Sequence, residues 1–193
     1  MPRQPAKALA PADVRRALDH VKRQRHPDRN RVIILLSFKA GLRACEIAGL
    51  SWSMVLATDG TIAAHLSVAR QIAKYGSGRA IPLNAELARA LAKLHKASGR
   101  PRDGPVIRSE RGAHMSAGSI VNWFGALYGE LGLTGCSSHS GRRTFITRAA
   151  RLLATSGGSL RDVQELAGHR AITTTERYIV GDRDAQRRLI ARI

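Results

Sequence analysis

His139-Ser-Gly-Arg142-Arg-Thr-Phe145, then Leu166-Ala-Gly-His169, then Tyr178 nine residues on, is the stretch whose reading decides the fold. Ser137 or Ser138 can accept from the free N–H groups that open a helix, which predicts a helix from His139 to about Ala154. Two shorter helices are expected at Ser159–Ala167 and Thr173–Val180. His139 and Arg142 are three residues apart, so on a helix they share a face. Both fall in the first turn, where unpaired N–H groups and the macrodipole favour an anion. A tyrosine is a useful nucleophile only when other groups neutralise what it attacks and protonate what leaves. Paired arginines suit a phosphodiester, because each planar fork holds two phosphate oxygens and keeps its charge.

Upstream, apolar residues at Val14, Ala17, Leu18 and Val21 have helical spacing. They predict a helix over Ala12–His26, ended by His26-Pro27 because the residue before proline avoids the helical region. Arg31–Ala40 reads as a second, largely buried helix closed by Gly41 as a left-handed cap. A short helix begins near Arg43 and carries Glu46, Ile47 and Leu50. Residues 55–83 change character: Ile62–Ala69 and Arg79–Leu83 are strand-like, joined across Lys74-Tyr-Gly-Ser-Gly78, whose glycines permit a tight turn. Helices return at Ala85–Ser98 and, capped by Ser116, run to about Leu131, with a Gly/Pro-rich loop at Gly99–Pro105 between them. The expected fold is mainly α with one small antiparallel β-sheet.

The chain has 193 residues, 44% of them apolar, enough for one domain with an adequate core. Its 32 Lys+Arg against 14 Asp+Glu give a formal charge of +18. That imbalance makes nucleic acid the default partner. A membrane surface fits less well, since no basic run flanks a long apolar or amphipathic stretch, and the longest apolar run, Val32–Leu36, is far too short to span a bilayer. Aromatic residues are 4% of the chain, too few for the stacking platforms of a single-strand binder, so duplex binding through phosphates leads. Cys45 and Cys136 form no ligand cluster, and with no CxxC or secretory pattern they read as reduced thiols of an intracellular protein.

Taken singly, each chemical residue has a plainer reading. Arg43 follows a turn at a helix start, with Glu46 one turn on to orient it. Lys74 sits at a hairpin tip, where lysines are common because tips are wet. His169 fits a helix cap, Tyr178 a packed core tyrosine, and Tyr75 and Tyr128 match the nucleophile's part on composition alone. The joint pattern is more specific. Gly41-Leu-Arg43-Ala-Cys-Glu46-Ile, Lys74…Arg79-Ala-Ile-Pro82-Leu, His139-Ser-Gly-Arg142-Arg-Thr-Phe and Leu166-Ala-Gly-His169 followed by Tyr178 resemble, in order and spacing, the motifs of the tyrosine recombinases, the phage integrase family. The resemblance spans residues 41–178 and implies that family's catalytic-domain fold.

Carried over by that resemblance, Arg43 and Arg142 clamp the non-bridging oxygens of the scissile phosphate, and Lys74 protonates the leaving 5′ hydroxyl. His139 acts in proton transfer or hydrogen-bonds the phosphate, His169 adds a donor to the transition state, and Tyr178 attacks to leave a 3′-phosphotyrosyl link. The implied function is site-specific recombination that integrates, excises or inverts a DNA segment of a mobile element. No cofactor and no metal are implied: the ester energy is kept in the phosphotyrosine, and no acidic Mg²⁺ cluster sits near the motifs. Type IB topoisomerase-like relaxation and a non-catalytic DNA-binding regulator are the competing readings. All six residues are present, which argues against the regulator.

The expected organisation is an arm or linker at 1–10, a catalytic domain at 11–180, and a tail at 181–193 with apolar Leu189, Ile190 and Ile193. The resemblance implies docking of that tail on a neighbouring protomer. Family members generally carry a further N-terminal helical domain that closes over DNA, whereas here the resemblance starts near the first residue. A short single-domain recombinase and a catalytic fragment both fit. The expected partners are double-stranded DNA, a homo-tetramer on paired sites formed from free monomers, and accessory DNA-bending proteins. The expected place is the bacterial cytoplasm, at the nucleoid.

Overall fold

The computed structural model describes residues 6–73, 76–178, 187, 190 and 191. Helix α1 (Pro11–Val21) starts with proline at its first position, where the missing N–H costs nothing, and buries Val14, Ala17, Leu18 and Val21. It ends earlier than His26. Short i→i+3 bonds, Lys22 N–H to Asp19 O and Gln24 N–H to Val21 O, tighten the chain after Val21. Pro27 then opens α2 (Pro27–Lys39) rather than merely closing the helix before it, so α2 begins four residues ahead of the expected Arg31. Val32 to Leu36 are all fully buried. A helix apolar on every side belongs in the middle of a core, and α2 packs on α1, α3, α4 and α6.

Helix α3 (Ala44–Ala48) leads to a 3₁₀ turn at Trp52–Met54. Strands β1 (His65–Val68) and β2 (Arg79–Pro82) pair antiparallel with Leu66 opposite Ile81, turning Leu66, Val68 and Ile81 inwards. The first strand is shorter than the expected Ile62–Ala69. Ile62 instead bridges Leu56 in a separate turn closed by Ala57 N–H to Thr61 O. Helix α4 (Ala85–Ala97) is capped by Asn84, and α5 (Ala117–Glu130) by Ser116, whose Oγ accepts from Ser119 N–H. Trp52 is buried and Trp123 packs part-buried on the core, so neither is an open stacking platform.

Helices α6 (Ser140–Ser156), α7 (Leu160–Ala167) and α8 (Ile172–Glu176) complete the fold. Ile146, Val163 and Ala167 form a second, small apolar cluster there, with Phe145, Leu160 and Tyr178 packed against it. Leu9 is buried, and its N–H donates to Thr144 Oγ1 of α6 at 2.9 Å. The architecture is therefore mostly helical with one two-stranded antiparallel sheet, as the sequence implies. No helix among the described residues is long and apolar enough to cross a membrane. The end of the expected Thr173–Val180 helix and most of the 181–193 tail, with Leu189 and Ile193, lie outside the described residues; Ile190 is exposed.

Candidate active site

Arg142 lies in the first turn of α6 and is 4% exposed. Its Nη1 donates to Gly41 O, just past the end of α2, at 2.7 Å, and its Nη2 donates to Ala167 O, the last residue of α7, at 2.5 Å. Helix ends leave such carbonyls unpaired, so one guanidinium closes two of them and is itself held still. Gly141 makes this placement possible: a Cβ there would run into the Ser37 side chain of α2.

Glu46 of α3 is fully buried, and its carboxylate gathers two more arginines. It accepts from Arg43 N–H and from Arg43 Nη1, each at 2.9 Å. From the other side Arg79 of β2 donates Nη1 and Nη2 to the two carboxylate oxygens at 2.9 and 3.0 Å, and its Nε to Leu166 O at 2.8 Å. Burial alone would raise the Glu46 carboxyl; the hydrogen bonds and charges of Arg79 and Arg43 outweigh it and hold the group below the usual carboxylate range. Arg79 thereby ties the sheet to α3 and α7. Arg79 stands within one of the sequence motifs without a role of its own there, because a strand arginine next to a loop reads as surface. A buried carboxylate needs paired donors, so Glu46 was the signal that a second cation had to be found.

His169 follows Gly168, which takes the left-handed conformation (φ 62°) that ends α7 and also clears room for the Arg79 guanidinium. His169 N–H donates to Gln164 O, and its Nδ1 lies 2.9 Å from Thr175 Oγ1. Tyr178, half-buried just past α8, stacks on the His169 ring with centroids 5.7 Å apart and planes 24° apart. The Arg143 guanidinium lies 5.6 Å from the centre of the Tyr178 ring. A cavity of about 620 Å³ opens beside these groups between β2 and α7, lined by Ser77, Arg79, His169 and Arg170 among others.

Buried positive charge dominates the electrostatics. Burial, then the charges of Arg43 and Arg79, push the Arg142 guanidinium down to about 9, with Glu46 and Tyr178 opposing. Burial, then Arg142, Arg43 and Arg79, push the His169 imidazole down to about 4. Two arginines pair with the one carboxylate while Arg142 bonds backbone carbonyls nearby, so positive charge exceeds negative charge at this place. At neutral pH His169 is uncharged, so one ring nitrogen donates and the other accepts.

Arg43, Arg142, His169 and Tyr178 therefore converge. His139 sits at the N-cap of α6, exposed, just outside the helix in which it was expected to share a first turn with Arg142; its N–H bonds Ser137 Oγ at 3.3 Å, and Ser137 N–H bonds Ser140 Oγ in place of the expected serine cap. Lys74 and Tyr75 lie outside the described residues. Tyr128 is 2% exposed in α5, stacked on Phe124, and burial pushes its hydroxyl up, which leaves it unsuited to attack.

A mainly helical domain thus brings two arginines, a histidine and a tyrosine of the sequence motifs near one another. The model of the phage integrase family matches residues 7–183, and the chain belongs to that family. It is 33% identical over 155 residues to the tyrosine recombinase XerC of Pseudomonas entomophila, covering 78% of this chain and 47% of that protein. The chain spans about half the length of the curated relatives it matches. The fold is similar to that of XerA recombinase (TM-score 0.74, 19% identity, all of this chain and 66% of that one). It is also similar to that of a lambda integrase tetramer bound to a Holliday junction (TM-score 0.66, 19% identity, 92% and 49%).

Proposed function

We propose that this chain is the catalytic domain of a site-specific DNA recombinase, with residues 11–180 as the catalytic unit, 1–10 as an arm and 181–193 as a tail that docks on a neighbouring protomer. The observation that carries the reading is the meeting of Arg43, Arg142, His169 and Tyr178, with the arginine charges acting on the His169 ring that Tyr178 stacks on. In the first step the Tyr178 oxygen forms a bond to phosphorus as the bond to the 5′ oxygen breaks. Arg43 and Arg142 hold the non-bridging oxygens, His169 donates to the growing charge, and Lys74 gives its proton to the leaving 5′ oxygen while His139 handles proton transfer or a phosphate contact. The second step reverses this with a 5′ hydroxyl from the partner strand, which releases Tyr178. Positioning and charge neutralisation do most of the work in phosphoryl transfer, so the scheme needs no nucleotide and no metal.

Double-stranded DNA is the proposed substrate, bound chiefly through phosphates by the charge of +18. Each neutralised phosphate should add about −0.9 to the log–log salt slope. Four protomers are proposed to assemble on paired sites from free monomers, in the bacterial cytoplasm and with DNA-bending partners; a lambda integrase of similar fold is a tetramer when bound to a Holliday junction. The mobile-element setting and the choice among integration, excision and inversion follow from the same reading. Supercoiled plasmids carrying one or two copies of the cognate site, incubated with EDTA, test it. Recombinants from the two-site plasmid are the expected result; relaxation without exchange would assign the chain to topoisomerase chemistry, and neither product would make it a DNA-binding regulator.

A further inference from the structure

We infer that Thr175 is a positioning residue which fixes His169 as its Nε2–H tautomer, so that Nε2 faces the phosphate as a donor; this rests on the recombinase reading above. Thr175 is fully buried in α8, and its Oγ1 lies 2.9 Å from His169 Nδ1. A hydroxyl carries one proton. Among the described residues the Thr175 hydroxyl meets no second acceptor, and the bond that helical threonines often make to the carbonyl four residues back is absent. A buried hydroxyl proton without an acceptor is costly, so Thr175 donates to Nδ1. Nδ1 must then carry its lone pair, and in a neutral imidazole the proton sits on Nε2.

The neighbours point the same way. Gln164 Nε2 donates to His169 O at 3.0 Å and to Arg170 O at 3.2 Å, which anchors the backbone end of the residue, while Thr175 sets the ring end. Thr175 O also accepts from Tyr178 N–H at 3.0 Å. One threonine thus relates the donor ring to the nucleophile stacked on it. His169 in this tautomer stabilises charge on the phosphate and does not take the Tyr178 proton.

Nuclear magnetic resonance of the ¹⁵N-labelled full chain, without DNA at neutral pH, reads the tautomer directly. The expected His169 signals are an unprotonated Nδ1 and a protonated Nε2 in the wild type and in Thr175→Ser, with a mixture in Thr175→Val. The opposite tautomer in the wild type overturns the inference. Covalent capture of a nicked duplex supplies the kinetic arm. Thr175→Ser should react within about twofold of wild type and Thr175→Val about tenfold slower, the loss of one hydrogen bond's worth. In a His169→Ala background Thr175→Val should add no further loss. Equal slowing in both backgrounds would mean that Thr175 only packs, and overturns the inference. A wild-type chain that captures no DNA would sink the recombinase reading while the tautomer measurement still stands or falls by itself.

Discussion

The part of the molecule built on α2 and the part made by α6, α7 and α8 are held together by different forces. The first surrounds a helix whose residues 32 to 36 are all fully buried, and its core runs from Leu9 to Tyr128. The second has three fully enclosed apolar residues, Ile146, Val163 and Ala167, yet it carries Arg142, His169 and Tyr178. Leu166 of α7 packs on the larger core, and α6 packs on α2, but much of what joins this part to the rest is polar. Arg142 spans Gly41 O and Ala167 O, and Arg79 spans Glu46 and Leu166 O. The Arg142 guanidinium that would hold the phosphate in the proposed reaction is, with that of Arg79, a rivet of the part with less apolar burial. Regions with little apolar burial are the ones that open locally, so a phosphate in the pocket should both receive the nucleophile and tighten the part that carries it.

The sharpest way to break this comparison is Arg79→Met. It removes one cation from a fully buried carboxylate and cuts the tie to α7, so it should cost about 3–5 kcal/mol, read from urea unfolding. Hydrogen exchange should show the loss concentrated in α7 and α8. A uniform loss below about 1 kcal/mol would mean that apolar packing alone joins the two parts. Gly168→Ala should cost less, about 1–2 kcal/mol, from the left-handed backbone it must adopt, with extra crowding against the Arg79 guanidinium. An alanine variant as stable as wild type would show that the turn before His169 relaxes freely.

The smallest effect concerns acid. The unfolded chain protonates His169 near its ordinary value of 6.5, and the folded site only at about 4. Between those values the unfolded form binds more protons, so stability is lost as the pH falls through that window and is unaffected above it. The urea midpoint of wild type should fall more between pH 6.5 and 4 than that of His169→Gln. Bound phosphate should narrow the difference, because an anion favours the charged imidazole. Parallel curves for the two proteins would show that neither burial nor the arginines hold the His169 imidazole down.

Much of this was legible in the chain. The spacing of Val14, Ala17, Leu18 and Val21, the apolar run of α2, and Ser116 before α5 each announced an element through local chemistry. The order of Arg43, Arg142, His169 and Tyr178 announced the family. Residues whose meaning depends on a distant partner were not legible. Arg79 looks like any arginine after a loop until Glu46, thirty-three positions earlier, is found beneath it. Thr175 is one of three successive threonines, and only the path of the chain back to His169 separates it from the others. The start of α2 was misjudged because proline has two roles, and Pro27 served as a helix opener.

The central claim, that this pocket exists to make Tyr178 a phosphotyrosine, is tested most directly by trapping. Wild type and Tyr178→Phe are mixed with duplex DNA nicked beside the cleavage position and run on a denaturing gel, with binding followed in parallel on a native gel. The account predicts a covalent protein–DNA adduct for wild type, none for Tyr178→Phe, and nearly equal binding by both, since only the attacking oxygen is lost. An adduct that persists in Tyr178→Phe would contradict it and move the nucleophile elsewhere in the chain.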